Sequence, residues 1–548
     1  MRMNKKIILS ILFSILFSTW LNPALIHGSS KKATHGYSNS VIANSSTILV
    51  PDNYKTIQEA INAAEEGDTI FVRAGTYYEH LEVDKPLSLV GENRNNTIID
   101  GNGTRIIVYL KADNVNLSGF TIQDGELGIL FWYSNNNTCT GNAVSNNFYG
   151  IYLYYSRYNV FTGNTVTNSS QYGIYLVGSS RNTLAGNTVS SNNNEGIYLH
   201  HSDGNVLSGN IVSNNRDGIH LGDSDDNVFS GNIVSNNRDG IHLYYSRYNV
   251  FTGNTVTNSS RYGISLSSSS HNKILHNNII NNIEPSSTVN SVNSWDNGAE
   301  GNYWSDYTGT DANSDGIGDK TYTIDKNSQD NHPLMATFLK FNIMTENQSH
   351  AIIAVCNSTI SDFQYYYTSR NRTKALSFKV NGTKSQGFCR ICVPHTLIAP
   401  PHTVTVNHSP PLYFETVYTN GTHTWLYFTY DYQEHEVTIV HMSYPEQLVL
   451  SQWAILCLAI IIVALLAISF RYYRMFNKQK KVIQAYEREL GSFPVSHPER
   501  ARTRFIKDVI ERKEKIERFE KKYGITIKPA NALEDLIKKL GVEKEVKN

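Results

Sequence analysis

The sequence predicts a mainly β protein. A single-stranded parallel β-helix comes first, then a small β-sandwich, one C-terminal transmembrane helix and a helical tail. Three observations predict it. A repeat of 22–23 residues fills the middle of the chain. Only 18% of the 548 residues are charged, while Asn, Ser, Gly and the 34 Tyr are plentiful. That composition argues against a helical bundle and for strands and turns. Finally, an uncharged 23-residue run, Leu448–Phe470, precedes a basic C-terminal stretch.

The repeat dictates the architecture. Gly-Asn recurs at Gly141, Gly163, Gly186, Gly209, Gly231 and Gly253, with His276-Asn277 as a seventh variant. Gly-Ile recurs in step from Gly128 to Gly263, and a second Asn column runs from Asn137 to Asn272. A fixed period in the twenties is the mark of a solenoid. Leucine-rich repeats share the period but need regular Leu positions, which are missing. Pieces such as NVFSGNIV and GIHL are strands too short to bury a face alone. Stacked in parallel, they bury Ile, Leu and Val and align the Asn columns into ladders. Eight such coils at ~4.8 Å each make a rod of roughly 38 Å.

The open end of a rod recruits other chains unless it is capped. Thr56 is placed to N-cap an amphipathic helix with Ile57, Ala60, Ile61 and Ala64 on one face and Glu59 at the capping-box position. The run TIQEAINAA, GDTIFVRAGTYYE, KPLSLVGE and TIIDGNG, followed by the GN and GI coils, resembles the pectin-lyase-like right-handed parallel β-helix. More narrowly, it resembles the NosD-type β-helix proteins with carbohydrate-binding and sugar-hydrolysis repeats. The ending at Gly301–Met335 is similar to that of archaeal-type surface members. The resemblance covers about residues 48–336, within a predicted β-helix domain of residues 46–336. It implies fold rather than activity, because this fold hosts lyases, hydrolases, epimerases and non-enzymes.

In each GIxL strand Ile and Leu point inward, so x points out. One outer face then carries Trp132, Tyr152, Tyr154, Tyr175, Tyr198, His200, His220, His242 and Tyr244. Rings along a groove bind sugars through their faces, with phenol and imidazole edges on hydroxyls. The alternative is a Tyr ladder that only stabilises the sheet. His200, His220 and His242 in successive coils could also hold copper or zinc, and the family's copper-binding label points that way. Against copper stand only six Met and no carboxylate–His pairing evident in the sequence.

A second column holds Glu195, Asp217 and Asp239, with Arg216, Arg238 and Arg261 beside it. Carboxylates one coil apart have roughly the spacing of a retaining glycosidase, and such closeness raises one pKa. The column could equally bind uronic acids or form a lyase site. The bland reading is a solvated salt-bridge row. Asp311, Asn313, Asp315, Gly316 and Asp319 match the first half of a calcium loop, but position 12 is Tyr322 and not Glu. The expected ion is a structural calcium, the alternative an Asx-rich turn.

Residues 338–443 alternate apolar and polar between turns, as in a β-sandwich. Cys389 and Cys392 sit at i and i+3 of one strand, on opposite faces, which disfavours a redox or zinc pair. Cys356 is the expected disulfide partner of one of them.

Topology follows from charge and hydropathy. Lys and Arg total 48, as do Asp and Glu, which excludes a bulk nucleic-acid binder. The balance hides a +9 stretch at residues 471–548, from 21 basic and 12 acidic residues. A basic start and an apolar run read as a signal peptide over residues 1–28. Residues 448–470 are long enough to span a bilayer, and the basic flank places the tail inside. Thirteen N-x-S/T sequons between Asn44 and Asn420, with none in the tail, agree with an outside ectodomain. The expected protein is therefore single-pass, with a large extracellular part and a cytoplasmic helical tail whose partner the sequence does not name. Its expected partner is a polysaccharide or glycoconjugate. The alternatives are a polysaccharide lyase or glycoside hydrolase using the acidic column, and a non-catalytic envelope protein, adhesin or NosD-like metal-handling protein.

Overall fold

Each repeat folds into one coil of three short strands. In one coil these are Val206–Ser208, Ile211–Ser213 and Asp217–Gly222. Leu207, Val212, Ile219 and Leu221 point inward and are fully buried. The computed structural model describes residues 45–345, 348–367, 373–382 and 386–441, with isolated positions between 468 and 521. Coil stacks on coil through parallel pairing, so the three strands of each coil build three long sheets of eleven, ten and eleven strands. The result is a right-handed-type parallel β-solenoid. It has more coils than the eight counted from the Gly-Asn repeat, because strands from Thr47–Val50 onward add less regular coils at the start.

Corners are built by one rule. A residue with positive φ turns the chain, and the next residue sends a polar side chain inward. Gly209 (φ +61°) precedes buried Asn210, Asn214 (φ 57°) precedes Asn215, and Asp223 (φ 48°) precedes Ser224. A buried amide must find partners. Asn210 Nδ2 donates to Leu184 O at 2.8 Å and to Asn232 Oδ1 at 2.9 Å, while its own Oδ1 accepts from Asn187 Nδ2 at 3.0 Å. The expected Asn ladders are therefore present and inward. This column runs on through Asn277 to Asn302, whose N–H donates to Asp330 Oδ2 at 2.7 Å. The ladder thus ends on a carboxylate. Burial pushes the Asp330 carboxyl up to about 6, against hydrogen bonds from Trp304 and from the backbone that favour its charged form.

The Gly-Ile glycines are needed for close approach. A Cβ on Gly218 would lie 2.5 Å from Val234 Cγ1 and 2.6 Å from Gly240 O. At the start, helix Ile57–Ala63 is N-capped by Thr56 with the full capping box to Glu59, and its buried face is Ile57, Ala60 and Ile61. It packs on the first strands, as a cap should.

Residues 337–441 form two antiparallel sheets of five and four strands around a separate apolar core. Cys356 is the register partner of Cys389, and both are buried free thiols, so the expected bridge is absent while the pairing partner is Cys389. The described residues up to His441 cluster as one compact unit. Asn278 joins the β-helix to Phe338 by two hydrogen bonds of 2.7 and 2.9 Å, and Glu300 pairs with both Arg390 and His276. Burial raises the Glu300 carboxyl, but His276 and Arg390 outweigh it and bring it down to about 2.

The signal segment 1–28 lies outside the described residues, and so does the span 448–470 apart from Ile468 and Ser469. Of residues 471–548 only isolated helical positions are described, with Lys515 and Arg518 paired to Glu511 and Glu514 one turn earlier. Among the described residues no helix is long and apolar enough to cross a membrane.

Candidate functional site

The ten-stranded sheet carries the candidate residues. Strand register sorts them into two outward columns rather than one face. The first column reads Leu130, Tyr152, Tyr175, Tyr198, His220, His242 and Ser265. The second reads Trp132, Tyr154, Val177, His200, Gly222, Tyr244 and Ser267. His200 is therefore one column away from His220 and His242, and the expected row of three histidines does not form. The reason is that His200 lies two residues beyond the Tyr198 position, not at it.

In the first column the rings stack on one another. Tyr152–Tyr175, Tyr175–Tyr198, Tyr198–His220 and His220–His242 have centroids 5.1, 5.0, 4.6 and 4.5 Å apart, all within 17° of parallel. The faces between consecutive rings are covered by their neighbours, so within the run only edges remain for a ligand, and the expectation of sugar stacking along this column is corrected. Burial first, then the Tyr172 and Glu195 charges, push the Tyr198 hydroxyl up to about 12, which keeps it a neutral donor. Open faces belong to the second column. Trp132 (40% exposed) stacks on Tyr154 on one side only. Tyr244 (46% exposed) is flanked in register by Gly222 and Ser267, and meets Tyr245 edge-on. Exposed Tyr133, Tyr155 and Tyr245, at the turn just beyond, were missed from sequence; doublets such as Tyr154-Tyr155 and Tyr244-Tyr245 were the available signal.

The acidic column is buried, not solvated. Glu195, Asp217 and Asp239 are each 2% exposed. Arginines alternate with them: Arg216 bonds Glu195, Arg238 lies 3.2 Å from both Asp217 and Asp239, and Arg261 lies 3.6 Å from Asp239. Burial raises the Asp217 carboxyl, but His242, Arg238 and Arg216 outweigh it and hold it below its ordinary value. The expected upward shift from carboxylate repulsion is not seen at Asp217, because His242 and the two guanidinium groups intervene.

Two of the three acids also meet an imidazole one coil on. His220 Nδ1 is 3.4 Å from Glu195 Oε1, and His242 Nδ1 is 3.7 Å from Asp217 Oδ2. The pairing missed from sequence is thus present, at a separation of one coil plus three residues. Asp217, His220 and His242 each offer a ligand atom within 4.8 Å of the others, as do the more exposed His200, His201 and Asp223.

The calcium loop spends its carboxylates on its own backbone. Asp311 accepts from Asp315 and Gly316 N–H, Asp319 from Ala312 N–H and Asp315 from Ile317 N–H. Asn313 Nδ2 donates to Asp315 Oδ2 at 3.0 Å. That is the Asx-rich turn arrangement.

Residues 61–227 and 191–309 match the family model described as periplasmic copper-binding protein (NosD). The repeat is a NosD match. No curated protein matches the chain. Among solved structures, the chain is similar to the alginate lyase from Paenibacillus sp. str. FPU-7, at 16% identity over 45% of this chain and 99% of that one, TM-score 0.38. Pectate lyase Pel9A matches at 16% identity over 47% and 82%, TM-score 0.30. The Dettilon tailspike protein matches at 13% identity over 72% and 94%, TM-score 0.39.

The NosD description names copper, against the sequence expectation. The chain from 127 to 289 contains no Met, and its one Cys, Cys139, is buried in the core. Soft ligands for copper(I) are therefore missing from this sheet, whereas imidazole and carboxylate donors suit copper(II), zinc or nickel. Asp217, His220 and His242 would hold such an ion.

Proposed function

We propose that this chain is an extracellular, carbohydrate-related β-helix protein that binds polysaccharide or glycoconjugate along its ten-stranded sheet, without a requirement for catalysis. The observation that carries it is the pair of open ring faces, Trp132 and Tyr244, five register steps apart in one column. At ~4.8 Å per coil they are roughly 24 Å apart. Between them lie Val177 and Gly222, with the hydroxyl and imidazole edges of the first column alongside. Apolar sugar faces rest on the two rings while hydroxyls meet the edges. The alternating Arg–carboxylate row keeps the neighbouring surface polar without net charge of one sign. Membrane anchoring by residues 448–470, a cleaved signal and a cytoplasmic tail belong to the same proposal and rest on hydropathy and charge. So does a structural calcium in the Asp311 loop.

A glycan array probed with the full-length protein tests the reading. Trp132→Ala and Tyr244→Ala should each lose the bound glycans and keep the wild-type melting temperature. Release of reducing ends or unsaturated uronates from a bound glycan would replace binding by lyase or hydrolase activity. An empty array with wild-type protein would sink the proposal.

A further inference from the structure

We propose that Asp217, His220 and His242 form a site for one divalent transition-metal ion, with Glu195 as the adjoining donor. The site shares His220 and His242 with the glycan reading but does not depend on it. Its geometry comes from the coil repeat. His220 and His242 are register partners with rings 4.5 Å apart and 10° from parallel, so the same edge of each faces the same way. That edge is Nδ1, and it faces the acidic column: Glu195 for His220 and Asp217 for His242.

The polar accounting around this edge is incomplete. At 3.7 Å, His242 Nδ1 is too far from Asp217 for a hydrogen bond. It is buried and has no hydrogen-bond partner among the described residues. Glu195 Oε2 is in the same condition on a side chain 3% exposed. Buried polar atoms of this kind are normally satisfied, so two in one cluster call for an explanation. Asp217 is divided between tasks. Its Oδ1 takes Arg238 at 3.2 Å, and its Oδ2 is the oxygen facing His242. Arg238 and Arg216 balance the carboxylates and fix their orientation, the service that outer hydrogen bonds commonly give to metal ligands. Two imidazoles and one or two carboxylates are the donor set of zinc and similar divalent ions. The His200, His201 and Asp223 group offers the same atoms, but it is more exposed and its nitrogens and carboxylate are not left buried and unpaired.

The test uses full-length protein stripped of metal by chelator and titrated with zinc chloride at neutral pH. Calorimetry should show a site that His220→Ala and His242→Ala each weaken at least roughly tenfold. The double variant His200→Ala/His201→Ala should retain the wild-type affinity. Melting of the metal-free variants near the wild-type temperature shows that they fold. Should one single variant fail to fold, the other still decides. Copper(II) supplies an independent readout: its electron paramagnetic resonance spectrum should report two coordinated imidazole nitrogens in the wild type and one in either single variant. No zinc binding by the wild type would overturn the proposal. So would loss in the double variant with retention in both single ones, or a copper(II) nitrogen count that neither single variant changes.

Discussion

Two kinds of column run along the β-helix, one inward and one outward, and they obey different rules. The inward Asn column repeats almost without exception from Asn142 to Asn302, because each amide donates to the next coil and accepts from the preceding one. The outward column through Trp132 and Tyr244 changes at every step: Trp, Tyr, Val, His, Gly, Tyr. Both columns repeat from coil to coil, the inward one at a corner and the outward one on a strand. The contrast teaches that stacking fixes what lies inside a coil and leaves the outside available for chemistry.

The largest expected effect comes from the period itself. Deleting residues 209–230, one full coil, rejoins strands of the same kind and should leave a cooperative melting transition. Deleting half a coil turns inward residues outward and should abolish it; equal outcomes in circular dichroism melts would erase the distinction. Next is Asn210→Leu. It removes one hydrogen bond each from Leu184 O, Asn232 Oδ1 and both Asn187 nitrogens, and should cost roughly 3 kcal/mol in denaturant unfolding. A neutral result would mean that water reaches the column.

The inward column also has a pH signature at its end. Asp330 has a folded pKa raised to about 6 from an ordinary 3.8. A carboxyl raised in this way binds its proton more tightly in the folded state, so stability falls as pH rises between about 4 and 6, by about 2–3 kcal/mol. Asp330→Asn should flatten that part of the stability profile. Glu300 works in the opposite sense. Its carboxyl is held down at about 2, so its contribution is present above its ordinary value of 4.5 and is lost as pH falls toward 2. Glu300→Gln should shrink the loss of melting temperature on acidification. The smallest stability effect belongs outside: Tyr244→Ala should change unfolding by less than about 0.5 kcal/mol, since no packed ring face is uncovered. A large loss would make that ring part of the scaffold after all.

Most of the inside was legible in the sequence, for a physical reason. Inward residues answer to the period, so Gly209, Asn210 and Leu207 announce themselves by recurrence. The serine column from Ser134 to Ser291 recurs equally; each hydroxyl oxygen accepts a hydrogen bond from the preceding coil's N–H, as Ser224 Oγ does from Ser202 N–H. The outside was legible only as a list of residue types. Sequence put His200 with His220, because alternation says which way a side chain points but not which register position it holds. It likewise missed the meeting of Asp217 with His242, since the two are 25 residues apart and join only when one coil lies on the next. The Arg238 bridge between Asp217 and Asp239 had the same origin, and it reverses the electrostatics expected of the carboxylates alone.

The register between Trp132 and Tyr244 has a consequence for how such a protein changes over generations. The two rings act like the jaws of a caliper, and the coils between them are its graduations. Loss or gain of one repeat by unequal recombination between near-identical stretches, such as residues 208–220 and 230–242, moves the jaws by one strand spacing. Neither jaw is altered, and the inward ladders re-form across the join. The length of the ligand gripped can therefore be revised in whole steps by copying errors alone, with no new side chain required.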